Sequence, residues 1–147
     1  MDEIERLATY RQQGFYCSQM LLLEGLNQLG KSNPDLIRAM QALANGLSLN
    51  GEICGALSGG ACLLGLYAGK GTAEESEDSR LVIMVSDLVS WFKSEYGQPF
   101  GGICCDQILA GNRQHMLTRC PLMVTGVLQK TRELLVENGF DLYSLDE

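Results

Sequence analysis

The stretch GEICGALSGGACLLGLYAGKG, residues 51–71, carries two cysteines and seven glycines, and positions 53–69 include no charged side chain. Small residues recur at four-residue spacing: Gly55 with Gly59, Ala56 with Gly60, Ala61 with Gly65, and Gly65 with Gly69. Residues four apart share one face of an α-helix. Each glycine costs about 1 kcal/mol of helix propensity relative to alanine, so such a helix needs compensation. Close approach of another backbone supplies it, and so does a bulky cofactor against a smooth face; the sequence leaves both open. The uncharged run of 17 residues falls short of a usual membrane span of about 20. It also lacks flanking basic residues and aromatic belts. The stretch therefore reads as a central helix, 53–68, buried on all sides, with Gly55, Gly59 or Gly60 touching a neighbouring helix backbone.

Outward from this segment the punctuation is helical throughout. Residues 4–29 have a helical pattern, broken near Gly14 and ended by Gly30 in the usual C-terminal position. Ser32-Asn33-Pro34-Asp35 reads as an N-cap with proline in the first turn, opening a helix that stops at Asn45-Gly46. Asn50 is the expected cap of the Gly-rich helix, and Thr72 with Glu75 matches a capping box. Leu81, Val82, Val85, Leu88, Val89 and Phe92 form an amphipathic stripe, stopped by Gly97-Gln98-Pro99. A short helix is expected over 103–109 and a last one over 121–137, with Asn138-Gly139 as its stop. The expected fold is all-α: a compact bundle of five or six helices around the Gly-rich one, in a single domain, 1–147.

Composition narrows the function. A formal net charge of −7 with scattered basic residues disfavours nonspecific binding to nucleic acid or an anionic membrane, so neither is an expected partner. The start, MDEIERLATYRQQG, lacks the apolar core of a secretory signal. A cytoplasmic location follows, where cysteines stay reduced; the six cysteines are therefore not read as three structural bridges. No Cys-x-x-Cys occurs, which removes the thioredoxin motif, zinc ribbons and common ferredoxin spacings. His115, in the loop after Gly111-Asn112-Arg113-Gln114, reads as solvated rather than as a ligand. Asp78, Asp87 and Glu95 form no carboxylate pair, and no hydrolase triad, P-loop, GxGxxG or HExxH appears.

The cysteines carry the remaining signal. Cys17 sits in FYCSQMLL, Cys54 in ICGALSGGACLLGL, Cys105 beside Cys104 in FGGICCDQIL, and Cys120 in RCPLMV. In that order the four pieces resemble the redox-active C-GCAxxG-C-C family, over residues 10–136. One departure is plain: GCAxxG reads CGALSG here, with Gly and Cys transposed before Ala56 and Gly59. A one-residue shift turns a side chain about 100° around a helix.

The resemblance implies a redox role and a shared site of Cys17, Cys54, Cys105 and Cys120. Four thiolates suit an iron–sulfur cluster or, as the alternative, tetrahedral zinc. Electron transfer or service to a partner enzyme would be the task, with a redox protein as partner and a homodimer as a further expectation. Two other readings stand beside it: a metal-free thiol/disulfide protein, and a structural module whose cysteines pack the core. Cys17 precedes Leu21, and Cys120 precedes Val124, by one helical turn, so both sulfurs are expected to face inward. Cys54, Cys105 and Cys120 fall near expected helix starts, where exposed N–H groups favour the thiolate, with Glu52 and Asp106 opposing. Cys62 reads as a small buried hydrophobe, and Cys54 is expected to be the more reactive of the two.

Overall fold

The computed structural model of the protein describes residues 2–145; positions 1, 146 and 147 of the expected domain lie outside the described residues. Seven α-helices carry the fold among them: α1 Glu3–Gln12, α2 Cys17–Gln28, α3 Pro34–Met40, α4 Gly55–Ala68, α5 Arg80–Phe92, α6 Cys105–Leu109 and α7 Met116–Glu137. The architecture is all-α. The sole extended pairing among the described residues is an isolated antiparallel bridge of Ile53 with Cys104.

Local chemistry accounts for most boundaries. Asp2 and Glu5 form a reciprocal capping box at α1. Asn33 accepts the Leu36 N–H at 3.1 Å, with Pro34 in the first turn of α3. Gly14 and Gly30 turn the chain at φ +92° and +66°, conformations that cost glycine little.

Four boundaries differ from the sequence expectation. The cap of α4 is Cys54, not Asn50, because residues 45–49 coil in the left-handed region instead of leading into a helix. Thr72 and Glu75 close a turn, through the Thr72 N–H on Glu75 at 3.0 Å, but start no helix. α5 runs on through a wide turn, Lys93–Gly97, and a further helical turn, Gln98–Phe100, so the expected stop Gly97-Gln98-Pro99 lies inside the helical run and Gly101, at φ +83°, ends it. α7 begins at Met116, so Pro121 lies inside it. Pro121 is the sixth residue of the helix, past the first turn, so its missing N–H leaves the Leu117 carbonyl without the usual i→i−4 donor.

Helix α4 runs through the centre of the bundle. A Cβ built on Gly59 would lie 2.9 Å from the Ser18 Cα of α2, and one on Gly60 2.5 Å from Val127 of α7. The glycines thus let α2 and α7 close onto α4, and the lost helix propensity is offset by packing. Leu21, Leu63, Leu64, Met84, Leu88, Phe92, Val124 and Leu128 fill the core. Burial on all sides does not hold, however. Ser58, Ala61, Cys62, Gly65 and Leu66 form a half-exposed strip along α4, and Gly65 has nothing within 4 Å of its built Cβ.

A buried carboxylate ties the terminal helices to α2. Glu24 is fully buried; it accepts from Arg6 at 2.8 and 2.9 Å, from the Tyr10 hydroxyl at 3.0 Å and from Arg132 at 3.2 Å. Arg132 also pairs with Glu3. No helix among the described residues is long and apolar enough to cross a membrane.

Candidate functional site

Cys17, Cys54, Cys105 and Cys120 line one cleft of about 340 Å³, brought there by four different helices. Cys17 opens α2, Cys54 caps α4, Cys105 opens α6, and Cys120 lies in the second turn of α7. Each placement has a local cause. The bridge of Ile53 with Cys104 ties the starts of α4 and α6 together, through the Cys54 N–H on Ile103 O at 3.0 Å and the Cys105 N–H on Glu52 O at 2.6 Å. The two cysteines that follow the bridged residues, Cys54 and Cys105, therefore both enter the cleft. Arg119 donates to the Ile108 carbonyl and stacks on Phe100, latching α7 to α6 beside Cys120. Gly55 lets α2 approach: a Cβ there would lie 2.7 Å from the Cys17 sulfur.

The vicinal cysteines divide their tasks. Cys104 caps α6, with its N–H bonded to the Gln107 side chain at 3.2 Å, and is not among the cleft-lining residues; Cys105 is. Cys62 stands half-exposed on the strip of α4, away from the cleft. His115 Nδ1 lies 2.7 Å from the Leu109 carbonyl and also stands outside it.

The thiols are not activated as the helix starts suggest. Burial pushes Cys17 and Cys54 up to about 12 and Cys120 up to about 11, with the neighbouring sulfurs adding to each. The Ala56 and Leu57 amides favour the Cys54 thiolate, as a helix start should, but loss of water outweighs them. Cys105 is also raised by burial, with Arg113 opposing. Cys120 gains no helix-start effect at all, since α7 begins four residues earlier; Arg11 is what pulls it back down.

Phe15, Met20, Leu117 and Pro121 make the cleft wall largely apolar, with Arg11 and Asn45 among its polar members. None of these six was legible as a site residue. Asn45 reads in sequence as a helix stop. As their side chains stand, no three His, Cys, Asp or Glu groups among the described residues are gathered closely enough to hold one metal ion.

The chain matches, over residues 15–134, the family described as "Putative redox-active protein (C_GCAxxG_C_C)". No curated protein and no solved structure matches it. The chain belongs to this redox-active family.

Proposed function

From that membership we propose that this is a redox protein in which Cys17, Cys54, Cys105 and Cys120 hold an iron–sulfur cluster, serving electron transfer or a partner redox enzyme in a reducing compartment such as the cytoplasm. The observation that carries the reading is the cleft itself: four thiols from four helices around one apolar-walled space. Cysteines that merely pack a core fill space, because interiors are close-packed; these four surround it.

The state of the thiols supports the same reading. A catalytic thiol needs a depressed pKa and access, whereas Cys17, Cys54 and Cys120 are all raised. A cationic centre reverses that logic, since a coordinating thiol is deprotonated outright. The sulfurs also ring a volume instead of meeting at a point. Tetrahedral zinc, with bonds of about 2.3 Å, would draw its sulfurs within about 4 Å of one another. A polynuclear group suits the wider ring. When bound, the cluster would supply one-electron chemistry; the chain would supply the four ligands and the apolar wall that limits water.

Purification without oxygen, followed by metal and acid-labile sulfide analysis, tests the proposal. Iron and sulfide in equal amounts, lost on Cys17→Ser or Cys120→Ser, are the expected result. Stoichiometric zinc without sulfide would overturn the cluster, and a metal-free protein with a reversibly formed disulfide would replace it with thiol chemistry.

A further inference from the structure

A second cavity, of about 490 Å³, opens between α1, α2 and α3, apart from the cysteine sulfurs. Small-molecule sites are typically about 300–1,000 Å³, mostly apolar, with a few placed polar groups. Tyr10 and Phe15 give this one aromatic surface, while Leu23, Leu26 and Ile37 give it an aliphatic floor. Aromatic side chains favour offset or edge contact with other rings.

The charges around it are unequal. Lys31 and Arg38 stand at its edge. Arg38 is engaged by Asp35 on the open surface, whereas Lys31 makes no ion pair among the described residues. Glu24, which holds the Tyr10 hydroxyl, already has Arg6 and Arg132 on it. An exposed ammonium with no ion pair among the described residues therefore borders a cavity that combines an apolar floor with the polar Gln19, Asn27, Ser32 and Asn33, in a chain of net charge −7. Phe15 lines this cavity and the cysteine cleft alike, so an occupant would lie one side chain away from the cleft.

We infer that this cavity binds a small planar aromatic anion, its rings against Tyr10 and Phe15 and its charged group on Lys31. The inference stands apart from the cluster reading, because binding can be measured on the metal-free chain. Anthraquinone-2-sulfonate is a suitable probe, with the neutral 2-hydroxymethylanthraquinone and the aliphatic decanoate beside it. Titration calorimetry should give saturable one-to-one binding of the sulfonate. Lys31→Glu should weaken it about tenfold or more, while changing the neutral quinone less than about threefold. Asn27→Trp places a large ring at an exposed position on the cavity wall. It should abolish binding of both quinones with the unfolding midpoint unchanged. No saturable binding, or binding indifferent to both substitutions, would overturn the site. Tighter binding of decanoate than of the sulfonate would overturn the aromatic class.

Discussion

Gly55 of α4 and Cys17 of α2 meet where their helices cross, and a Cβ built on the glycine would stand 2.7 Å from the sulfur. The same crossing that closes the bundle thus sets the position of one cleft cysteine. Four residues on, a Cβ built on Gly59 would stand 2.9 Å from the Ser18 Cα. Packing of the central helix and geometry of the site are one arrangement, and substitutions along α4 should separate what each glycine does.

Gly59→Leu should overpack the contact with Ser18 and cost about 1–3 kcal/mol. Gly65→Ala, on the same helix, adds its methyl to open space and should stabilise by about 0.5–1 kcal/mol. Urea unfolding of the two variants should therefore move in opposite directions. A neutral Gly59→Leu would remove the close-contact account of the glycines.

Cys62 should be alkylated faster than Cys54 in the metal-free native protein. Cys54 is buried and pushed up to about 12, whereas Cys62 is half-exposed, though burial raises it too. This reverses the order expected from sequence, which places Cys62 deeper than Cys54. Mass-resolved labelling decides it; faster modification of Cys54 would contradict its burial.

The two neighbouring cysteines should separate cleanly. Cys105→Ser should lower the bound iron and sulfide markedly, because Cys105 lines the cleft. Cys104→Ser should leave the cofactor content within error and alter stability by about 1 kcal/mol or less, since serine also caps helices well. Equal loss in both variants would return Cys104 to the site.

Alkali should destabilise the metal-free protein. Cys17 and Cys54 stand near 12 when folded against an ordinary value of 9.0, so the native state keeps protons that the unfolded chain releases. Their contribution is fully present below about pH 9 and is lost as pH rises from there towards 12. Tyr10 and Tyr67, ordinarily at 10.0 and also raised to about 12, add to the loss above pH 10. Urea midpoints at pH 7.5 and 9.8 should fall in the wild type and fall less when Cys17 and Cys54 are both alanine.

Glu24→Ala should be among the most damaging surface-distant substitutions, at about 3–5 kcal/mol, because it removes the buried carboxylate that Arg6 and Arg132 share and leaves Arg132 only Glu3. Arg6 is partly exposed and its loss should cost less. Chemical unfolding of both variants gives the comparison, and equal costs would show that Arg6, not Arg132, supports the carboxylate.

Local sequence determined the helices. Capping residues, proline in first turns, glycine stops and the stripe of α5 act within a few residues, so the chain itself states them. The glycine spacing likewise announced a close-packed central helix, and the four ordered cysteines line one cleft. Where Asn50, Thr72 and Pro121 misled, a local signal was real but a longer-range contact used it otherwise. The left-handed coil of 45–49, for example, depends on the Glu52 N–H reaching the Gly46 carbonyl at 3.0 Å. Only tertiary structure decided that Cys105 and not Cys104 faces the cleft, because the bridge of Ile53 with Cys104 fixes which side of α6 turns inward. Only tertiary structure made the thiols weak acids. Helix position is written in the sequence, but desolvation depends on every neighbour that displaces water, and those neighbours come from four separate helices.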